Sequence, residues 1–448
     1  MDLQIILGLL ALIVWGIMAI LIVLGKINQL YALPLIGVLM VAITTYNDPY
    51  QMVLVAQNGF LLLYSTIIAI IVGTIMAESL VLTGIAENMI KKTAEFAGGR
   101  KVLTAALLSL VGIVIFTGAY GNGPFIAMGI VIISIMASVG LDKKIAVPLF
   151  LMSYSVGACL NPTFQAMVKG VTGYQVEGVF WYWLIALAVI CYVVFMGYML
   201  WMLRRGKTAF DGGTPERTGR SKESHEEAPM EGGYPTEAAP KVRWKVPLWS
   251  WLTPVIPVVL VGVFKWPDIP ALFVALIYAF ASTQIGRSGK ETTDIFLRCV
   301  EDGAKDSASM CFILMGIGVI MNAATLASVK APLNALLGPI LPNSVLTLVL
   351  FFMILGPLHM YRGPLNAWGF GALTFALMKG AGLPIAMLSA GIMANRIIHQ
   401  VPDPTSVQMV WAVSWAKVNA IDILKKTLPW AWIANIIIMA VAFFLVPV

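Results

Sequence analysis

Charged residues are scarce in this chain of 448 residues, since Asp, Glu, Lys and Arg together make up 11% of it. Hydrophobic residues make up 59%, and the mean hydropathy is +0.88. A soluble domain carries roughly a quarter charged residues, so this composition excludes a soluble globular protein. The chain is predicted to be a polytopic membrane protein, with residues 3 to 24 as its first transmembrane helix.

Motifs for several other chemistries are missing. The four cysteines include no CxxC pair, which argues against a zinc site and a disulfide framework. The sequence contains no Walker motif and no nucleophile elbow, so neither ATP-driven transport nor intramembrane hydrolysis is indicated. The net charge of +7 comes from Lys and Arg between apolar segments, which indicates membrane topology rather than nucleic-acid binding. We therefore expect no enzyme activity, no cofactor and no metal site.

Two short helix-breaking motifs occur twice. Residues 121–129, GNGPFIAMG, resemble residues 361–369, YRGPLNAWG, with Gly, Pro, Ala and Gly in register at an offset of 240. The tripeptide NPT at 161–163 recurs as DPT at 403–405, at an offset of 242. An unpaired backbone group is costly in lipid, so such breaks persist only where protein or a water-filled cavity surrounds them. Matching breaks in the two halves of a membrane protein indicate the binding site of a transporter.

The chain divides into two halves with the same order of apolar segments. The first repeat is predicted at 1–203 and the second at 248–448, joined by a hydrophilic linker at 204–247 in the cytoplasm. The second repeat is predicted to begin with a spanning segment at about 248–264. Each repeat is predicted to contain a re-entrant hairpin and a broken transmembrane helix, at about 101–139 and 145–176, then at about 343–379 and 384–416. The predicted fold is all-α, with two inverted-topology repeats, about 10 full spans and 2 hairpins.

The ends of the broken helices are the expected binding groups. Helix N-termini offer free N–H groups to an anion, and C-terminal carbonyl groups can coordinate a cation. Hydroxyl and amide side chains beside them suit carboxylates and polyols. The candidate substrate-binding residues are Thr117, Tyr120, Asn122, Gly123, Asn161, Thr163, Gln165, Tyr361, Arg362, Gly363, Asn366 and Thr405.

The candidate residues for coupling to an ion are His359, His399, Asp403 and Arg396. Imidazole titrates in the physiological range, which suits a proton-handling role. An arginine at membrane depth usually pairs with an acid or faces a cavity. Because Arg396 lies within reach of Asp403, we expect Asp403 to neutralise it. Arg362 would then be free to hold a carboxylate bidentately.

Glu78 is an acidic residue on an apolar segment. It lies close enough in sequence to Lys91 and Lys92 to be expected at the membrane interface. Coupling to protons is therefore the less favoured interpretation of this residue.

The layout resembles the ion transporter superfamily of secondary carriers for organic anions, and within it the gluconate permease family. The resemblance rests on residues 73–86 with the basic turn at 91–101, and on HQVPDP at 399–404, which looks like that family's histidine and Asp-Pro motif. The GNG tip at 121–123 is similar to the glycine-rich hairpin tip of citrate carriers. Where gluconate permeases have an acidic tip residue and a histidine in the first broken crossing, this chain has Tyr120 and Asn161. The resemblance implies an elevator-type homodimer whose hairpins and broken helices move across the membrane.

These patterns predict a proton-coupled symporter of a small organic anion, such as a gluconate-like sugar acid or another carboxylate, in the bacterial inner membrane. Sodium coupling, as in a citrate-like di- or tricarboxylate carrier, and organic-acid exchange remain open, since carbonyl-rich breaks also make cation sites. A passive anion channel is a different class, but neither half shows a repeated ring of pore charges. A membrane-embedded transferase would need a nucleophile or metal set that the sequence lacks.

Overall fold

The computed structural model describes residues 3–24, 26–46, 48–205, 246–369 and 371–447. Nineteen α-helices and two 3-10 helices lie within these residues. The predicted linker at 204–247 lies outside the described residues, except for two residues at each of its ends.

The helices of the first half follow one another with short connections. They are α1 Leu3–Val23, α2 Gln29–Thr44, α3 Pro49–Leu62, α4 Tyr64–Leu82, α5 Ile85–Ala97, α6 Lys101–Gly118, α7 Asn122–Ser138, α8 Lys143–Leu160, α9 Pro162–Thr172 and α10 Phe180–Arg204.

The second half begins with a 3-10 helix, Leu248–Leu252, and carries another, Gly356–Arg362, after α15. Its α-helices are α11 Ile256–Gly262, α12 Asp268–Thr283, α13 Gly289–Thr325, α14 Ala327–Leu337, α15 Val345–Leu355, α16 Gly371–Gly380, α17 Ile385–Gln400, α18 Val407–Ala416 and α19 Ala420–Leu445. A hairpin-like pair, a broken pair and a long final helix thus follow in this order in both halves. The inverted relation of the halves stays a prediction.

Eight helices of the described residues are long and apolar enough to cross a membrane. They cover Ile5–Ile22, Tyr64–Leu82, Lys101–Gly118, Lys143–Leu160, Phe180–Arg204, Gly289–Thr325, Val345–Arg362 and Ala420–Leu445. Four shorter apolar helices add to them: Gln29–Thr44, Asn122–Ser138, Asp268–Thr283 and Val407–Ala416. The chain is therefore an all-helical multi-pass membrane protein.

The predicted spanning segment at 248–264 differs from the structure. It consists of a 3-10 helix and the short α11, which ends at Gly262. Pro254 and Pro257 explain the interruption, because a proline removes a helix hydrogen bond and clashes with the preceding turn.

The long helix α13 lies at the centre of the packing and contacts α2, α3 and α4. Glycine allows the close approach: a Cβ atom at Gly37 of α2 would lie 2.8 Å from Val319, and one at Gly303 would lie 2.7 Å from Ile75 of α4. The hydroxyl of Thr74 on α4 donates a hydrogen bond of 2.8 Å to the Gly303 carbonyl. This contact places α4 and α13 together beside the tip between α6 and α7.

Candidate functional site

A cavity of about 410 Å³ brings together residues from the first tip (residues 117–124, between α6 and α7), the second tip (residues 356–364, after α15) and the second broken helix (α17 and α18). Its volume is in the range of small-molecule sites. Its basic residues are Arg362, Arg396 and His399, its aromatic residues Tyr120, Tyr154 and Trp368, and its amides Asn28, Gln29, Asn122, Gln400 and Gln408. No acidic residue occurs among the described residues that line it. The cavity is therefore cationic and rich in hydrogen-bonding groups.

A second, larger cavity of about 900 Å³ lies near the C-terminal ends of α9 and α16. Four lysines line it, Lys169, Lys265, Lys330 and Lys379, together with Glu177 and Asp268. It contains none of the residues predicted for the binding site, and the smaller cavity contains five of the sixteen: Tyr120, Asn122, Arg362, Arg396 and His399. The smaller cavity is the better candidate for the functional site because it lies at the breaks.

Arg396 of α17 is buried, with 5% of its surface exposed, and lies in a box of aromatic rings. Its Cζ atom is 4.1 Å from the ring centre of Phe164, 5.3 Å from that of Tyr154 and 5.8 Å from that of Tyr120. None of the ion pairs found among the described residues includes Arg396, and its Nε has no hydrogen-bond partner there. A buried guanidinium without a carboxylate partner can accept an anionic ligand.

Asp403 is fully buried at the second break and accepts bonds from several sides. Its Oδ2 lies 2.8 Å from His399 Nδ1 and accepts the Tyr361 N–H at 3.1 Å. Its Oδ1 accepts the Thr405 N–H at 2.9 Å and the Thr405 hydroxyl at 2.7 Å. The expected pair between Asp403 and Arg396 is thus replaced by a pair with His399, because His399 lies four residues before Asp403 and Arg396 points towards the aromatic rings.

The second tip has an unusual backbone. Tyr361 and Arg362 have φ angles of 54° and 55°, in the left-handed region that non-glycine residues rarely adopt. The bond from the Tyr361 N–H to Asp403 holds this conformation, and Arg362 Nη1 donates to Oε1 of Gln29 at the start of α2. Gly363 follows with extended backbone and donates its N–H to Met360. Strained backbone of this kind is often found at functional sites.

His359 and Asn366 lie behind the second tip. His359 is 2% exposed, its ring centre is 5.5 Å from that of His399, and its Nδ1 has no partner among the described residues. The Asn366 amide lies 3.4 Å from the His359 carbonyl and 3.4 Å from His399 Nδ1. Its Oδ1 accepts the Trp368 N–H at 3.0 Å, which joins the two histidines to the cavity wall.

Five predicted residues of the first half do not line the cavity: Thr117, Gly123, Asn161, Thr163 and Gln165. The Thr117 hydroxyl donates to the Pro254 carbonyl at 2.8 Å, and Gln165 Nε2 donates to the Cys159 carbonyl at 3.1 Å. Asn161 caps α9 by accepting the Thr163 N–H at 2.8 Å. Its Nδ2 also donates to the carbonyl at position 116, at 3.2 Å. These contacts join helix ends to one another. The Thr163 side chain is fully buried against Gly73 of α4.

Two acidic residues meet the first tip: Glu78, which the sequence did not favour for proton coupling, and Asp306, which was not among the predicted residues. Asp306 of α13 accepts the Asn122 N–H at 3.0 Å through Oδ1. Glu78 of α4 lies against Gly123 and is buried, with 7% of its surface exposed; its expected position at the membrane interface stays a prediction. The lysines near it in sequence pair elsewhere, Lys91 with Glu87 and Lys92 with Glu95. The only sequence signal for Asp306 is an acidic residue directly before an apolar segment.

Amide side chains connect the first tip to the second broken helix. Gln408 Nε2 donates to Asn122 Oδ1 at 2.9 Å, and Gln400 Nε2 donates to Gln408 Oε1 at 3.2 Å. All three residues line the cavity, so both halves of the chain contribute to its wall.

Comparison with known proteins supports the fold. No family model matches the chain, and no curated protein does either. Among solved structures, the chain is similar to the YdaH transporter of Alcanivorax borkumensis, with a TM-score of 0.60 and 14% sequence identity. The similarity covers 89% of this chain and 90% of that one. Nearly the whole chain therefore shares its fold with a solved membrane transporter.

Proposed function

We propose that this protein is a secondary active transporter that carries a small organic anion together with a proton. The observation that carries this proposal is the charge of the 410 Å³ cavity, whose described lining contains three basic residues and no acidic one. Because His399 is paired with Asp403, the two arginines leave a net positive charge for a ligand to neutralise.

The substrate class follows from the groups around Arg396. In this proposal its guanidinium binds a carboxylate, and Arg362 at the opposite tip binds the same or a second carboxylate. The amides of Asn122, Gln400 and Gln408 offer donors and acceptors to hydroxyl groups. A gluconate-like sugar acid or another small hydroxylated carboxylate fits this set.

The proposed coupling ion is a proton, and His399, His359 and Asp403 are the candidates for handling it near the substrate. Protonation of His399 would add positive charge to the cavity wall while its bond to Asp403 persists. Sodium coupling is the alternative that the experiment below separates from this one.

We further propose an elevator-type motion in a homodimer of the inner membrane, with the linker in the cytoplasm, as the resemblance to gluconate permeases implies. Single cysteines placed in 204–247 are labelled in intact cells with a membrane-permeant and a membrane-impermeant reagent, which tests the orientation.

The experiment is uptake into proteoliposomes that contain the purified protein. Labelled gluconate and citrate are compared with the neutral amide of gluconate, under a pH gradient and separately under a sodium gradient. We expect accumulation of an acid, driven by the pH gradient, and none of the amide. Equal uptake of acid and amide would contradict the anion site, and accumulation driven only by sodium would contradict proton coupling. Ion currents without accumulation would indicate a channel.

A further inference from the structure

The tip between α6 and α7 is held by two carboxyl groups that the anion cavity does not use. The Cδ of Glu78 lies 3.6 Å, and the Cγ of Asp306 3.9 Å, from the position that a Cβ atom would have at Gly123. Gly121, with a φ of 134°, turns the chain directly against Asp306. Glycine at both positions is what lets the two carboxyl groups approach the tip.

Both groups are buried, and neither has a basic partner in the part of the chain that the structure describes. Asp306 is 3% exposed, its Oδ1 accepts the Asn122 N–H, and its Oδ2 has no hydrogen-bond partner in the described part of the chain. None of the five ion pairs of the described residues includes Glu78 or Asp306. The unsatisfied Oδ2 points to a missing ligand, because a buried polar atom without a partner is destabilising.

The ionisable groups that face this pair offer no compensating positive charge. The negative charges of Asp306 and Asp302 on α13 disfavour a negative charge on Glu78. Cys299, also on α13, faces Glu78 as a free thiol. The backbone N–H groups of Asn122 and Gly123, at the start of α7, stabilise a negative charge on Asp306. One negative charge is stabilised by this helix N-terminus, and a second negative charge beside it is not.

We propose that Glu78 and Asp306 form a proton-binding site, in which the two carboxyl groups hold one proton and one negative charge between them. The proton binds a carboxylate oxygen of the pair and leaves again as H⁺. A hard divalent cation is less suited, because it takes six or more oxygen ligands, and no group of three or more His, Cys, Asp or Glu side chains among the described residues could hold one.

The site is connected to the anion cavity through one residue. Asn122 donates its N–H to Asp306 and accepts the side chain of Gln408 through its own Oδ1. A change in the charge of the pair therefore alters the bond that holds the tip, and the same tip lines the cavity. The role of this proton in driving transport rests on the proposed function, whereas its binding does not.

The test is infrared difference spectroscopy of the purified full chain between alkaline and acid pH, which detects the carbonyl stretch of a protonated carboxyl group. Glu78→Gln and Asp306→Asn are compared with Asp294→Asn and Glu95→Gln, which change exposed acids elsewhere. We expect a buried carboxyl band in the unchanged protein that both site variants lose and both control variants keep. A band that persists in both site variants, or no such band in the unchanged protein, would overturn the proposal.

A second variant keeps the test decisive if either carboxamide variant fails to fold. Gly123→Ala retains both acids but places a methyl group against Glu78, so the band is expected to shift. An unshifted band would show that the proton is held elsewhere.

Proteoliposomes then test coupling with labelled gluconate as the probe. In the site variants we expect gluconate uptake driven by a pH gradient to fall at least about tenfold, measured relative to the exchange of labelled for unlabelled gluconate. If the unchanged protein binds and moves no acid while the infrared band behaves as expected, the proposed function fails and the proton site stands. Uptake driven by sodium and lost in the same variants would overturn the assignment of the proton.

Discussion

Replacing Arg396 with glutamine tests whether this arginine binds the ligand or stabilises the fold. The guanidinium lies within 4.1 to 5.8 Å of three aromatic ring centres and belongs to no ion pair among the described residues. An arginine that neutralised a buried acid would be expected to cost about 3–5 kcal/mol of stability when removed. Arg396→Gln leaves no such acid behind, so we expect the loss of stability without a ligand to stay at about 2 kcal/mol, the contribution of a desolvated cation–π contact.

The affinity for an anionic ligand, by contrast, should fall strongly in Arg396→Gln. A hydrogen bond to a charged group contributes about 1.5–3 kcal/mol, and about 1.4 kcal/mol corresponds to a factor of ten. Loss of one such contact to a bound carboxylate therefore predicts roughly 10- to 150-fold weaker binding of the substrate acid to Arg396→Gln. The loss should be smaller for a neutral analogue, which makes no charged contact.

The assay combines thermal melting of the detergent-purified protein with titration of the acid identified by uptake, since a ligand raises the melting temperature by mass action. Arg205→Gln is the matched control, because Arg205 also stacks on an aromatic ring, 4.4 Å from the Trp201 centre, but is exposed. Unchanged affinity in Arg396→Gln, or a loss of several kcal/mol of stability without ligand, would refute the reasoning.

Three further substitutions test the contacts around the breaks, each by thermal melting in one detergent. Asp403→Asn removes the carboxylate that accepts hydrogen bonds from Tyr361 and Thr405 and contacts His399, and it should destabilise the protein by about 1–3 kcal/mol, so an unchanged melt would contradict these buried contacts. Asn161→Ala removes the cap of α9 and the bond to the carbonyl at position 116 and should cost about 2 kcal/mol, whereas Asn161→Ser should restore the cap alone, about 1 kcal/mol. Gly391→Ala would press a methyl group against an aromatic ring of α15, at a cost of about 1–3 kcal/mol, and Gly16→Ala, which has open space, should cost nothing.

The helix ends at the breaks can be read from the sequence because the residues that make them act locally. Pro162 begins α9 and Asn161 caps it, so the helix end is determined within three residues. The prolines at 254 and 257 carry the same kind of signal. They interrupt the segment at 248–264, which was predicted to span the membrane from its hydropathy alone. Mean hydropathy takes no account of the backbone N–H that a proline lacks.

The site was predicted less completely, because its contacts join residues that lie far apart in the chain. The sequence by itself determined an all-helical membrane protein with polar breaks at duplicated positions, since composition and helix-breaking residues act locally. Only the tertiary structure decided that Asp403 pairs with His399 and leaves Arg396 among aromatic rings. It also decided that Asp306, 184 residues from Asn122, reaches the first tip, because the packing of α13 against α4 brings it there.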